Sequence, residues 1–465
     1  MRIIVGAKIN IEGATDEIIS YCKSLELNNP EYYKKKSRGL WLGNTPRTIT
    51  LYEKNGSIYR LPFGCFEDIC KIAPHRLHQY IGRFPDKRPY QYNSSISLYP
   101  YQERAVCDAF ARRNGIIVMP CGAGKTQTGL ELVSRIGGKT LWLTHTQDLL
   151  NQSMNRAKSV FGCPLSAYGT ITEGKVNISE GITFATVQTM AKIDLAQYAN
   201  EWDVVIVDEC HKAVGSPTKV MQFYKVLSNL SARYKYGLTA TPKRSDGLEK
   251  SMFALLGNVC ATVTRNQVND TTCPVEVRKV HTGYSPEYEL VISGDGTINY
   301  AQLVDELIND RDRRDFVMSV LNRCKGATMV LANRVSYLED LSSLYNKTGK
   351  KSICLSTLGN SKSAKAQRKE SLIQLNAERI DCIFATYQLA KEGLDVPNLR
   401  YLVLATPEKD ETTIIQSVGR VARKFEGKTM GIVYDIVDSF GMYRSWAKKR
   451  EAYYKKIGVA YIDMN

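Results

Sequence analysis

Several features are missing from this 465-residue chain, and each closes off a class of protein. Long apolar runs are missing: the longest, such as Gly115 to Met119 and Thr140 to Thr144, fall far short of the roughly 20 residues that cross a bilayer. A secretory leader is not expected, because Arg2 to Glu17 carries acids and has no sustained apolar core. Fixed short repeats and low-complexity tracts are missing too, which argues against solenoids and disordered tails. The twelve cysteines are scattered through the chain, as expected of reduced thiols and not of a disulfide framework. Cys65, Cys70, His75 and His78 come close together, but their C-x4-C-x4-H-x2-H spacing matches no common finger and leaves a short loop for a tetrahedral zinc site. Ordinary core and surface residues are expected there. What these exclusions leave is a soluble, cytoplasmic protein without a membrane partner.

Acidic residues are in short supply, with 47 Asp and Glu against 63 Lys and Arg, a net charge of +16 and a pI near 9.2. Such an excess implies a polyanionic partner, since lysines and arginines release counterions from a phosphate backbone. The excess is uneven: residues 1–95 carry +6 and the remaining 370 carry +10. Hydrophobic content of 43% and charged content of 24% are those of a folded chain. Its length suits two or three domains.

From about Leu98 the sequence alternates short apolar segments with helical ones. Ile116 to Met119, Thr140 to Thr144, Ile182 to Thr186, Val204 to Val207 and Tyr236 to Thr239 read as buried parallel strands. A second series, Ala327 to Ala332, Ser352 to Leu355, Asp381 to Ala385, Tyr401 to Ala405 and Thr429 to Tyr434, predicts a second lobe of the same α/β kind. Between them, residues 265–310 hold a strand-like Val275 to His281, a turn at Ser293-Gly294-Asp295-Gly296 and an amphipathic Tyr300 to Ile308. They read as a linker with an insertion.

Residues 1–95 read as a small α+β module. Strands are expected at Met1 to Ile11 and Arg47 to Tyr52, a helix near Asp16 to Leu25, and a hairpin at Asn55-Gly56 before Ile58 to Leu61. Tyr32, Tyr33, Trp41, Tyr52, Tyr59, Tyr90 and Tyr92 are mixed with Lys34, Lys35, Lys36, Arg38 and Arg47. Basic side chains can hold phosphate while aromatic rings stack on bases; core packing is the competing role for the rings.

Pro120-Cys121-Gly122-Ala123-Gly124-Lys125-Thr126 meets the requirements of a phosphate loop. A strand precedes it, glycines allow backbone amides to approach phosphates, Lys125 neutralises their charge, and Thr126 can ligate magnesium as a helix begins. Met119 occupies the position of the first glycine in the general pattern. Asp208-Glu209 follows the strand Val204 to Val207, which puts both acids at the carboxyl edge of a parallel sheet. There Asp208 can hold magnesium while Glu209 orients and deprotonates water. Arg420 and Arg423 stand three apart, so a helix would present both on one face, where arginines can stabilise a phosphoryl transition state.

These motifs, with Thr239-Ala240-Thr241-Pro242 and Gln416-Ser417-Val418-Gly419-Arg420-Val421-Ala422-Arg423, resemble the superfamily 2 DExH helicases of the XPB, RecG-like and UvsW-like type over about residues 98–440. The resemblance implies two RecA-like parallel-sheet lobes in tandem behind the α+β accessory domain, with boundaries at 1–95, 96–264, 265–310 and 311–465. It implies that ATP is the nucleotide and Mg2+ its ion, and that Gln102 reads the adenine. Leu98-Tyr99-Pro100-Tyr101-Gln102 departs from the usual arginine at Tyr99. Cys121, Gly122, Ala123, Gly124, Lys125, Thr126, Gly393 and Asp395 would line the ATP site. Lys125, Asp208, Glu209, His211, Gln416, Arg420 and Arg423 would form the catalytic set, with Mg2+ on Thr126 and Asp208. Thr239 and Thr241 would couple hydrolysis to motion, and Thr144, Thr186 and Thr386 would contact a strand, joined by Lys34, Lys35, Lys36 and Arg38 of the basic module.

His211 in place of the aspartate of DEAD-box RNA helicases favours DNA. The expected function is an ATP-dependent DNA helicase or translocase, monomeric, that remodels forks, D-loops or Holliday junctions, of a kind found in bacteria and phages. An RNA helicase and the motor part of a restriction complex are the alternatives. For the latter, these residues contain no recognisable nuclease signature.

Overall fold

Four consecutive apolar residues with every side chain buried make Val204–Val207 an inner strand, because only a sheet covered on both faces hides both sides of a strand. In the computed structural model it sits in an eight-stranded sheet. The structure describes all residues except 75–77, 121, 215, 242–246, 293–297, 360, 392–393, 395 and 465. It divides into two units, Met1–Pro120 with Gly124–Thr264, and Cys121–Ala123 with Arg265–Asn465.

The eight strands run in the order Lys175–Asn177, Tyr168–Thr172, Ile182–Thr186, Thr140–Thr144, Val204–Val207, Tyr234–Thr239, Asn114–Val118 and Val259–Thr262. All neighbours are parallel except the first pair. The five expected strands form the inner part of this sheet. Tyr168–Thr172 and Val259–Thr262 were not expected; they lie toward the margins, where mixed polar residues hide the apolar signal.

The second unit carries a seven-stranded parallel sheet ordered Ser352–Cys354, Cys382–Thr386, Thr328–Ala332, Tyr401–Leu404, Gly431–Val437, Val275–His281 and Ala460–Met464. Val275–His281, expected in a linker, is thus an inner strand of this sheet, with Val277 and Val280 buried. The turn expected at 293–296 lies outside the described residues. The fold is therefore α/β, with two parallel-sheet lobes in tandem behind a small α+β module. Among the described residues no helix is long and apolar enough to cross a membrane.

The module is a five-stranded mixed sheet, Glu53–Asn55, Ile58–Pro62, Lys8–Glu12, Arg2–Val5 and Gln79–Gly82. The single strand expected at Met1 to Ile11 is two antiparallel strands, with Val5 opposite Ile9 and the Gly6 amide donating to Lys8 O at 3.0 Å. The Asn-Gly hairpin forms as expected, with Gly56 at φ +59°.

One apolar core runs through the module and the first lobe. It includes Ile3, Ile9, Leu61 and Phe63 of the module together with Leu141, Val205, Phe223 and Leu256 of the lobe. Gly64 allows the closest approach: a Cβ there would stand 2.5 Å from Ala254 O and 2.6 Å from Leu256 N. Cys65 Sγ, buried in the same seam, donates to Ala254 O at 3.7 Å. Lys235 is buried beside it, donating to Leu227 O at 2.9 Å, with its ammonium 5.0 Å from the centre of the Phe63 ring. Burial pushes that ammonium down to about 7.

Two buried ion pairs fasten helices to the strand Gly431–Val437 and its end. Arg313, on helix Arg311–Arg323, grips Asp438 through Nε at 2.7 Å and Nη2 at 3.0 Å, and Nη2 also donates to Ala405 O at 2.8 Å. Arg450, on helix Gly441–Lys456, reaches Asp435 at 2.7 Å, and Tyr454 donates to the same carboxylate at 2.8 Å. Removing one partner strands a buried charge, so Asp438→Ala is expected to lower unfolding free energy by about 3–5 kcal/mol. Arg313→Met combined with Asp438→Ala should cost less than Asp438→Ala alone. Urea unfolding of the three proteins checks both outcomes.

Candidate nucleotide site and strand-contacting edge

Parallel strands deliver their carboxyl ends to one edge, and register decides which residues meet there. Thr239 pairs with Val118, Val207 with both Gly237 and Leu143, and Thr186 with Thr144. The loop after Val118, the acids after Val207, and Thr144, Thr186 and Thr239 therefore share the edge at which open α/β sheets hold ligands.

The loop after Asn114–Val118 leads into helix Lys125–Ile136. Gly122 and Gly124 take φ of +84° and +80°, a region that side chains disfavour. The buried Met119 donates its amide to Thr239 O at 2.9 Å, so the position lacking glycine is an apolar anchor and not a bend. Gln102 is buried with Oε1 accepting from the Tyr99 amide at 3.0 Å. Its Nε2 lies 2.3 Å from where a Cβ of Gly124 would stand. The residue expected to read adenine therefore packs on the phosphate loop, and glycine at 124 makes room for it. Ala123 is buried and Thr126 is half-buried in the first turn. Cys121, Gly393 and Asp395 lie outside the described residues.

Lys125 Nζ stands 3.6 Å from Glu209 Oε1, linking loop to acid pair. Asp208 accepts from Ser153 Oγ at 3.2 Å and from the Glu209 amide at 2.9 Å. Burial, reinforced by the Glu209 charge, raises the Asp208 carboxyl above the usual range. Burial acts on Glu209 in the same direction, but Lys125, His211 and Lys212 outweigh it and hold that carboxyl low. Glu209 has φ +49°, a backbone strain of about 1–3 kcal/mol of the kind that collects at functional sites. Its Oε2 is buried and accepts no hydrogen bond from the described residues, although His211 Nδ1 is 3.3 Å away. That nitrogen is engaged by Thr239 Oγ1 at 3.0 Å.

The donor set suits a hard cation. Thr126 and Asp208 offer oxygens, and a carboxyl whose ionisation is opposed by burial and by a neighbouring carboxylate is relieved by a divalent ion. Among the described residues no group of three His, Cys, Asp or Glu could hold a metal.

Thr239 Oγ1 also accepts from the Thr241 amide at 3.1 Å. A chain of contacts therefore runs from Glu209 through His211 and Thr239 to Thr241. Of the strand-contact candidates, Thr186 Oγ1 meets Thr189 Oγ1 at 2.9 Å, and Thr386 donates its amide to Ser356 Oγ at 2.8 Å. Thr144 is fully buried and its hydroxyl donates to Thr146 O at 3.1 Å. Lys34, Lys36 and Arg38 are exposed, whereas Lys35 is tied to Glu31 at 3.2 Å and to Thr45 at 2.8 Å.

In the second unit, Gln416 and Arg420 lie on helix Glu411–Val421. That helix stops at Val421, so Arg423 stands beyond its end and does not share a helical face with Arg420 as expected. Lys428 Nζ caps the Arg423 carbonyl at 2.9 Å. Arg420 donates through Nη1 to Leu394 O and through Nη2 to Ala390 O, so its guanidinium is held by helix Tyr387–Lys391 and by Leu394. Ser153 escaped the sequence reading, while His145 belongs to Thr144-His145-Thr146, which resembles a strand-tracking element. Ser153 belongs to helix Gln147–Val160, whose local pattern reports only helix, and its partner Asp208 arrives from another strand. His145 O accepts from Gln188 Nε2 at 3.0 Å, joining two of the edge motifs.

Two family models match the chain, "Type III restriction enzyme, res subunit" over residues 95–244 and "Helicase conserved C-terminal domain" over residues 312–425. A protein of Acanthamoeba polyphaga mimivirus named as an ATP-dependent RNA helicase is 26% identical over 97% of this chain and 84% of its own length. The ATP-dependent DNA helicase uvsW of Enterobacteria phage T4 is 22% identical over 78% of this chain and 73% of its own. The solved structure of S. cerevisiae Dbp5 bound to RNA and ADP BeF3 matches with a TM-score of 0.57, over 79% of this chain and 90% of its own, at 16% identity; this is a likeness of fold.

Burial, and then the charges of Lys212, Lys219 and His211, hold the His145 imidazole down at about 3. The unfolded chain takes up a proton there near pH 6.5, which the folded chain refuses until far lower pH. This contribution to stability is complete above about pH 6.5 and declines as pH falls toward 3, by at most ~1.4 kcal/mol per pH unit. NMR titration should find the His145 ring neutral at pH 5, and His145→Asn should flatten the acid limb of the stability profile.

Proposed function

This chain is a superfamily 2 helicase of the XPB/UvsW type, an ATP-hydrolysing enzyme that acts on nucleic acid, and from that premise we propose that it remodels branched DNA. The observation that carries the proposal is the apolar core common to the basic module and the first lobe. A module fixed in this way, with Lys34, Lys36 and Arg38 exposed, can hold a duplex arm while the lobe works on a strand.

In the proposed ATP site, Lys125 neutralises the terminal phosphates and the amides around Gly122 and Gly124 cradle them. Thr126 and Asp208 would hold Mg2+, which when bound neutralises charge on the β- and γ-phosphates. Glu209, kept ionised by Lys125 and His211, has Oε2 available to orient the attacking water and receive its proton. Once Glu209 is protonated, its pull on His211 weakens, and the contact to Thr239 and Thr241 relays that change toward the edge. Gln102 sits against the loop as the proposed adenine reader. Gln416, Arg420 and Arg423 would stabilise charge on the transferring phosphoryl group.

The relative named as an RNA helicase makes RNA the second reading, and His211 favours DNA. ATPase rates with RNA, single-stranded DNA and four-way junctions separate them: junction DNA should stimulate most, and equal or greater stimulation by RNA would replace the DNA reading. Lys125→Ala should cut hydrolysis by at least about 100-fold while junction binding persists; retained hydrolysis would remove Lys125 from the site. Lys34→Glu, Lys36→Glu and Arg38→Glu together should weaken junction binding regardless of sequence and reduce the log–log salt slope by roughly three.

A further inference from the structure

Trp41 has no counterpart among the other tryptophans. The chain has four; Trp142, Trp202 and Trp446 are 0%, 2% and 7% exposed, and Trp41 is 88% exposed. Leaving an indole in water forgoes the stabilisation that burial gives the other three. Even so, the ring is not loose. A Cβ on Gly43, where φ is +51°, would stand 2.9 Å from Cζ3, 3.1 Å from Cη2 and 3.2 Å from Cε3. Near-equal distances to three consecutive ring atoms put that point above the ring plane and not at its edge. One face of the indole therefore rests on the Gly43 backbone, a fit that any side chain at 43 would destroy.

The surroundings identify the occupant of the other face. Helix Pro30–Ser37, capped by Asn29 Oδ1 at 3.0 Å from the Glu31 amide, ends in Lys34, Lys35 and Lys36, with Arg38 just beyond. Lys34, Lys36 and Arg38 are exposed and form no ion pair with the described residues. A cleft of about 690 Å³ opens beside the ring, with Asn44, Thr45, Pro217 and Met221 among its walls. Its one acid among the described lining residues, Glu31, is neutralised by Lys35 at 3.2 Å. The ring stands on the loop that leaves the end of this helix, where the Leu40 amide donates to Lys35 O at 3.0 Å; an aromatic face on a segment carrying three such cations complements a base with its phosphates, and stacking of this kind tolerates any base. An apolar protein partner would instead leave those cations to be desolvated.

We propose that Trp41 is a stacking platform for an unpaired base of the bound nucleic acid, with Lys34, Lys36 and Arg38 taking the adjoining phosphates. The proposal rests on the nucleic-acid reading above and adds what the module recognises: a nucleotide outside the duplex, as occurs at a branch point or on a single strand.

The other three tryptophans emit as well but are buried out of a base's reach, so quenching that disappears in Trp41→Phe is quenching at Trp41. The 465-residue chain is titrated with dye-labelled single-stranded DNA, a forked DNA and a blunt duplex, following dye anisotropy for binding and tryptophan emission for stacking. Saturable quenching with the single strand and fork, and little with the duplex, is expected. Trp41→Phe should keep binding and lose the quenching. Trp41→Ala, checked for unchanged circular dichroism, should weaken single-strand and fork binding by about 5- to 100-fold and leave the duplex unaffected. Binding by anisotropy without a change in emission, or equal affinities for Trp41→Ala and the parent on all three DNAs, would overturn the stacking role and leave the helicase reading intact. No anisotropy change with any DNA would defeat the stacking role and the branched-DNA reading together.

Discussion

Two carboxylates placed side by side at the end of a buried strand repel one another and lose water, and the first lobe is organised around making that tolerable. Lys125 supplies the nearest opposing charge, so the phosphate loop and the acid pair are held in register by the cost that each would incur alone. Ser153 and the Glu209 amide satisfy Asp208, and His211 sits against Glu209 and Thr239 together. A change in charge at this point redistributes forces among residues already in contact.

The second lobe solves a different problem with the same chemistry. Asp435 and Asp438, near the end of one strand, are buried and matched by Arg450 and Arg313 from helices far apart in sequence. These guanidiniums also reach the backbone carbonyls of Glu408 and Ala405, so each ion pair fixes a loop as well as a helix. Geometry at that sheet edge is thus set by charges that have nowhere else to go.

Much of this was legible in the sequence where the signal is local. Apolar strands such as Val204–Val207, the glycines of the phosphate loop and the Asn-Gly hairpin declare themselves within a few residues. What escaped was settled by distant partners. Val275–His281 reads locally as a strand but falls in a stretch expected to be a linker, because its neighbours Gly431–Val437 and Ala460–Met464 lie far away in the sequence. Arg423 carries no local mark to say that the helix ends two residues earlier. Thr144 matches its motif and is nevertheless sealed in the sheet. Ser153, Arg313 and Arg450 read as ordinary helix residues until strands from elsewhere meet them.

The glycine seam at Gly64 bears on how the module is held. Backbone meets backbone there with no side chain between, and the apolar core continues unbroken on either side. The module is thus seated on the first lobe by main chain as well as by core side chains, and any residue larger than glycine at 64 would have to part the two.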